Sequence, residues 1–217
     1  MNLEKKLTEG SNIVFITLEG PNGVGKTTVI NTVSEKLFEL GFDVFLTKEP
    51  TKSNLGDFLK NSEESYQGKC LACIAAADRY FHIEQEVLPA LSKGKLVISD
   101  RYVESSLVLQ RLDGCTIEFI WGLHSQIFIP DLSIILVAKP LILSQRLAAR
   151  KSKLSRFEKT ETRERELRFY RQAGKFLSQH DFNVLVLKNE SASVDKVADR
   201  IVKKIQELHQ QRNGGDS

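Results

Sequence analysis

Gly20-Pro21-Asn22-Gly23-Val24-Gly25-Lys26-Thr27 gathers three glycines, a lysine and a hydroxyl directly after the apolar run Ile13–Leu18. The spacing fits G-x-x-x-x-G-K-[ST], a phosphate-binding loop. Glycines here let the chain wrap so that successive backbone N–H groups face one anion. Lys26 offers a point charge to β and γ phosphates, and the Thr27 hydroxyl can ligate Mg²⁺. From Thr27 and Thr28 onward the chain reads as a helix, whose N-terminus adds partial positive charge beneath the anion. The chemistry indicated is the holding of a nucleotide's phosphates.

Further charged residues follow other apolar runs. Asp100 closes Leu96–Ser99, and an Asp at the tip of a neighbouring strand can orient Mg²⁺ or its waters. Arg101 comes next and suits paired hydrogen bonds to a phosphate. Asp78-Arg79 lies in a helical stretch after Ala75-Ala76-Ala77; Arg79 either reaches into a cleft to hold a second anion or stands as a solvated charge. The segment 146–156 is densely basic, with Arg146 and Arg150 on one helix face. It suits a solvated face, a nucleic-acid patch, or a lid that closes arginines on transferring phosphates. The phosphate loop itself holds no arginine, which favours the lid. Pro50 stiffens the turn after a further apolar run and biases Glu49 to an extended conformation, where it either orients an arginine or a substrate group or simply belongs to a surface turn.

These groups need a frame. Five β-type runs recur, Ile13–Leu18, Asp43–Thr47, Lys95–Ser99, Leu132–Val137 and Asn183–Leu187. Several are nearly continuous apolar runs, as in strands covered on both faces. Helical periodicity marks Thr28–Leu40, Cys70–Leu91, Ile117–Ile127, Leu141–Arg150, Arg163–Gln179 and Val194–His209. The alternation predicts an α/β fold with a parallel sheet between helices, and ligands at the carboxyl ends of the strands.

The 217 residues, 41% hydrophobic and 27% charged with a net charge of +3, suit one domain and leave no strong nucleic-acid footprint. The polar ends predict an extension over 1–11, a domain over 12–210 and a tail over 211–217. No secretory or membrane-spanning run stands out, which points to a cytoplasmic chain. Cys70 and Cys73 form C-x-x-C without a second ligand pair for zinc, and read as buried reduced thiols. His82, His124, His180 and His209 are scattered and carry no assigned role.

Together these residues resemble the thymidylate kinase family. The likeness spans roughly Asn12 to Gln210. It runs from Phe15–Gly20 into Gly25-Lys26-Thr27-Thr28, then through Thr47-Lys48-Glu49-Pro50 with Leu55-Gly56, and Ala77-Asp78-Arg79. It continues with Ser99-Asp100-Arg101-Tyr102, Ser105-Ser106 and Gln110, then Pro130-Asp131-Leu132, and Arg146–Arg150 leading into Arg156-Phe157-Glu158. The resemblance implies a P-loop NTPase fold, three-layer α/β/α with a five-stranded parallel sheet. It implies transfer of the ATP γ-phosphoryl group, with Mg²⁺, to dTMP or a related nucleoside 5′-monophosphate, commonly in a homodimer, with neither nucleic acid nor membrane as partner. Gly20, Asn22, Gly23, Val24, Gly25, Lys26, Thr27, Thr28 and Arg146 would then hold the donor, with Thr27 and Asp100 on the metal. Lys26, Asp100, Arg101, Arg150 and Arg156 would act on the transferring group, with the lid at about 146–160. The acceptor would lie against Asn22, Glu49, Pro50, Ala75, Arg79, Arg101, Tyr102, Ser105, Ser106, Leu109 and Gln110, with Arg79 and Arg101 on its phosphate.

The chain also departs from the family's pattern. Ala75 stands where the pattern has an aromatic ring, Leu109 where it has a tyrosine, Asn22 where many members have a carboxylate, and Lys48 where it has an arginine. The lid reads Ser155-Arg156 rather than Asp-Arg. Loss of a stacked ring forfeits ~1–3 kcal/mol of base binding, so these departures point to a different or bulkier monophosphate as acceptor, or to poor use of thymidylate. Among other classes, a GTPase switch would need Asn-Lys-x-Asp, which is absent. A nucleoside kinase would need no arginines for an acceptor phosphate. A non-catalytic nucleotide-binding module fits less well with Lys26, Thr27 and Asp100 all in place.

Overall fold

The computed structural model describes residues 13–149, 163–190 and 194–213. Strands β1 (Phe15–Glu19), β2 (Val44–Lys48), β3 (Leu96–Asp100), β4 (Leu132–Val137) and β5 (Val184–Lys188) form one sheet in the order β2-β3-β1-β4-β5. Every pairing is parallel. The three central strands are buried almost throughout, whereas the edge strands β2 and β5 are partly open. That is why the central runs read as continuous apolar stretches.

Nine helices pack on the two faces among the described residues: α1 (Lys26–Glu39), α2 (Asn54–Ser62), α3 (Gly68–His82), α4 (Leu88–Ser92), α5 (Val103–Leu112), α6 (Ile117–His124), α7 (Pro140–Ala148), α8 (Arg163–Leu177) and α9 (Val194–Asn213). Alternation along each strand sorts the core. Phe15, Val97 and Ile135 pack with Val103, Leu107 and Tyr170 on one face. Ile16, Ile98 and Ile134 pack with Val29, Val33 and Ile201 on the other. The chain leaving β1 therefore enters a helix on one face, and the chain leaving β3 enters a helix on the opposite face. A crevice opens between them at the carboxyl ends, the switch point of an open α/β sheet.

Several elements differ from the sequence reading. The stretch expected as one helix over Cys70–Leu91 is interrupted by a π-helical turn, Ile83–Val87, between α3 and α4. Helices α2 and α5 were not expected at all. Helix α5 is buried nearly all round, so it carries no polar stripe to read. Helix α2 is short, and its start is fixed by Ser53, whose side chain accepts from Gly56 N at 3.1 Å. Cys70 and Cys73 are exposed rather than buried: α3 turns Leu71, Ala72, Ala75 and Ala76 inward, and that stripe leaves the two thiols facing solvent. Helix α9 runs to Asn213, beyond the expected domain end, and Arg212 bonds to the Ile13 carbonyl and to Asp131. No described helix is long and apolar enough to cross a membrane.

Candidate active site

The loop after β1 turns on left-handed glycines, Gly23 at φ 82° and Gly25 at φ 95°. A side chain at Gly20 would meet the Leu136 carbonyl oxygen at 2.4 Å. The result is a cradle of about 170 Å³ lined by Asn22, Gly23, Gly25, Lys26, Thr27, Asp100 and Arg101. Val24 does not line the cradle: its side chain is core, and its carbonyl accepts from Arg146 and Asn189. Thr28 is exposed on the first turn of α1 and does not line the cradle. Lys26 Nζ donates to the Gly20 carbonyl at 2.7 Å and lies 3.3 Å from that of Pro21. Burial, then the Arg101 charge, lowers its pKa to about 7. Asp100 Oδ1 is buried with no hydrogen-bond partner among the described residues. With the Thr27 hydroxyl it supplies hard oxygen donors, so these residues fit Mg²⁺.

Arg101 stands where β3 meets the crevice. Its φ is 82°, unusual for a residue with a side chain. Its own N–H donates to the Leu18 carbonyl at 3.1 Å, and its carbonyl accepts from Ser99 Oγ at 2.7 Å. The guanidinium donates to Asn22 Oδ1 at 2.6 Å and to Ser105 Oγ at 3.1 Å. Beneath it, the buried Glu19 carboxyl accepts from the backbone N–H of Tyr102 at 2.6 Å and of Ser105 at 3.1 Å. Burial pushes this carboxyl up, opposed by Arg101. Tyr170, on α8, donates to the Gly20 carbonyl at 3.0 Å. One buried carboxylate and one tyrosine thus tie the phosphate loop to the loop after β3.

Beside the cradle lies a cleft of about 320 Å³. Asn22 and Arg101 border both spaces. Lys48, Glu49, Pro50, Ser105, Ser106 and Gln110 line it, and Leu59, Leu71, Ala75 and Leu109 supply apolar walls. Helices α2 and α5, invisible in the sequence, therefore build much of this cleft. Gln110 is buried, and its amide makes no hydrogen bond to the described residues. The Glu49–Pro50 peptide is cis, and the turn is anchored by Asp78, which accepts from Thr51 N at 3.0 Å and Thr51 Oγ1 at 2.6 Å.

Two residues sit otherwise than expected. Tyr102 points into the core: its ring meets Phe15 edge-on and its hydroxyl donates to the Phe128 carbonyl at 2.7 Å. Its side chain does not line the cleft. Arg79 borders the cleft, yet all its N–H donors are engaged by the protein. Nε and Nη2 donate to Glu49 at 3.0 and 2.6 Å, Nη2 to the Tyr102 carbonyl at 2.8 Å, and Nη1 to Ser106 Oγ and His124 Nε2, both at 2.8 Å. A carboxylate already holds the fork expected on an acceptor phosphate. Burial pushes the Glu49 carboxyl up, but the Arg79 charge and the His82 hydrogen bond bring it below its ordinary value. His82 Nδ1 lies 3.1 Å from Glu49 Oε1. Both histidines, unassigned from the sequence, thus stand behind the cleft and hold its lining residues Glu49 and Arg79, as Glu19 and Tyr170 hold the loop beneath it.

On the far side of the phosphate loop, Arg146 donates to the Val24 carbonyl at 3.1 Å and the Asn189 carbonyl at 3.0 Å. Asn189, another residue missed in the sequence, donates to Val24 O at 2.8 Å. Arg150 and Arg156 lie outside the described residues.

A profile of the family described as thymidylate kinase matches residues 18–201. A probable thymidylate kinase of Pyrococcus abyssi is 37% identical over 199 residues, covering 87% of this chain and 93% of that protein. One from Staphylothermus marinus is 33% identical over 188 residues, covering 86% and 92%. The thymidylate kinase of Clavibacter sepedonicus is 37% identical over 153 residues, covering 67% and 72%. With the glycine cradle, the strand-tip Asp100 and the adjoining cleft in one crevice, the chain belongs to the thymidylate kinase family of phosphotransferases.

Proposed function

We propose that the cradle binds the phosphates of ATP, that the cleft binds dTMP or a related deoxynucleoside 5′-monophosphate, and that the γ-phosphoryl group passes between them. One observation carries the reading: Arg101 borders both spaces, and its guanidinium is held between Asn22 and Ser105. Two anionic groups brought together there meet a fixed positive charge, and positioning with charge stabilisation is most of phosphoryl-transfer catalysis. Gly23, Gly25 and Lys26 hold the donor phosphates. Arg101 and Lys48 attract the acceptor phosphate, and Ser105 orients Arg101 by accepting from it. Gln110 offers its amide to the base edge. Thr27 and Asp100 would hold Mg²⁺, which when bound neutralises phosphate charge. Arg79 takes the role of a strut, not a phosphate ligand. Arg146 borders the donor side, and Arg150 and Arg156 are assigned to the transferring group as part of a lid, which also excludes water.

The apolar walls favour a second reading of the acceptor. Among the described residues no aromatic ring lines the cleft, so on this reading the base is held by shape and one amide rather than by stacking, and a base other than thymine fits this wall. On the family likeness the chain acts as a cytoplasmic homodimer, which sedimentation tests. The deciding assay is a panel of ribo- and deoxyribonucleoside monophosphates with ATP and Mg²⁺. Diphosphate formed from dTMP supports the first reading, and from another monophosphate the second. ATP binding with no monophosphate phosphorylated leaves the nucleotide-binding module as the correct reading.

A further inference from the structure

His124 ends α6 and is fully buried, although the next residues, Ser125 and Gln126, are exposed. Its Nε2 lies 2.8 Å from Arg79 Nη1. A guanidinium has donors and no acceptor, so Nε2 accepts and the ring proton belongs on Nδ1. That Nδ1 is buried with no partner among the described residues. Burial and then the Arg79 charge lower the pKa of the imidazole to about 2, in keeping with a ring that stays neutral beside a cation.

Arg79 joins four segments of chain. Glu49 follows β2, the Tyr102 carbonyl follows β3, Ser106 lies on α5 and His124 closes α6. The Tyr102 carbonyl is one residue past Arg101, whose left-handed backbone persists only where its surroundings over-determine it. Arg79 is one of those surroundings. His124 and Ser106 both accept from Nη1, and without an acceptor at position 124 one N–H of this buried cation loses its partner.

We propose that His124 is a positioning residue of the acceptor cleft: by accepting from Arg79 it fixes the Arg79–Glu49 fork, and through the Tyr102 carbonyl the backbone that aims Arg101. The inference rests on the reading of the cleft as the acceptor site. It makes no contact between His124 and the nucleotide, and it asks of the side chain only an acceptor at the place Nε2 now occupies. Glutamine retains such an acceptor, and leucine does not.

His124→Leu and His124→Gln are compared with the wild type in steady-state assays that vary acceptor and ATP separately. His124→Leu is expected to raise the acceptor KM roughly tenfold or more, the consequence of one unsatisfied buried donor. The ATP KM stays within about twofold, because the phosphate cradle does not touch Arg79, and glutamine returns the acceptor KM to within about threefold of wild type. Both KM values rising together would mark a general structural defect and overturn the proposal, as would an unchanged acceptor KM in folded His124→Leu. Should that variant melt below the assay temperature, nitrogen NMR of imidazole-labelled wild-type protein decides. The Nδ1–H tautomer with a bare Nε2 is expected, and a proton on Nε2 overturns the proposal. A wild type that phosphorylates no monophosphate in the panel removes the acceptor reading, whereas a working wild type with an indifferent His124→Leu removes this inference alone.

Discussion

Arg101 donates to the Asn22 side-chain oxygen at 2.6 Å, joining the end of β3 to the tip of the phosphate loop. The bond places a guanidinium on the border between cradle and cleft. It also makes the position of that charge depend on both strands at once, since Leu18 and Asp100 are register partners in neighbouring β1 and β3.

Removal of that guanidinium separates the two binding events. Arg101→Ala is expected to lower kcat/KM for the acceptor by about 10²–10³, the scale for loss of one preorganised charge-stabilising donor. ATP affinity, measured by calorimetry, is expected to stay within about threefold, because the glycine loop and Lys26 remain. Equal loss of both would show that Arg101 serves the donor phosphates instead.

Lys26 makes donor binding sensitive to alkali. Its buried ammonium has a pKa of about 7, down from 10.5, so at pH 8 it is largely neutral. A bound phosphate restores the charge, and ATP binding at pH 8 takes up a proton. Affinity falls as pH rises above 7, by at most about tenfold per pH unit. Titration calorimetry in buffers of different ionisation enthalpy measures the uptake. No dependence on buffer at pH 8 would contradict the assignment.

Helix α2 packs against the turn after β2 with no room for a methyl group. A Cβ at Gly56 would lie 2.1 Å from the Thr51 carbonyl oxygen. Gly56→Ala is expected to cost ~1–3 kcal/mol of stability and to raise the acceptor KM, because α2 carries Leu59 of the cleft. Denaturant unfolding and initial rates check the two effects. Unchanged stability would mean that α2 shifts freely.

His124 makes the fold sensitive to acid. The unfolded chain protonates this ring near its ordinary 6.5, the folded chain only near 2. The unfolded state therefore binds more protons in between. The contribution is complete above about pH 6.5 and declines as pH falls, by up to ~1.4 kcal/mol per unit. Between pH 7 and 5.5 wild type is expected to lose ~1 kcal/mol more than His124→Gln. Parallel unfolding curves for the two proteins would refute this.

The parts legible in the sequence were those whose local chemistry is sufficient. The phosphate loop showed itself because a left-handed backbone at Gly23 and Gly25 selects glycine, and the central strands because burial on both faces removes polar residues. Helix α5 escaped notice because burial erases its periodicity. His82 and His124 escaped because their partners Glu49 and Arg79 lie 33 and 45 residues away. Arg79 reads from the sequence as a cleft residue and Glu49 as a carboxylate able to orient an arginine, but the role of Arg79 depends on five N–H donors engaged by four separate segments, a convergence the chain order does not show. Cys70 and Cys73 were misread because helical spacing says that two residues share a face without saying which face is covered.

The left-handed backbone of Arg101 has an evolutionary consequence. Glycine adopts φ 82° without penalty, and arginine does not. Selection for thermal robustness alone would favour shedding the side chain here and relaxing the peptide. Against that stands the fixed charge this side chain sets on the border between cradle and cleft, so durability is given up there in exchange for a placed guanidinium.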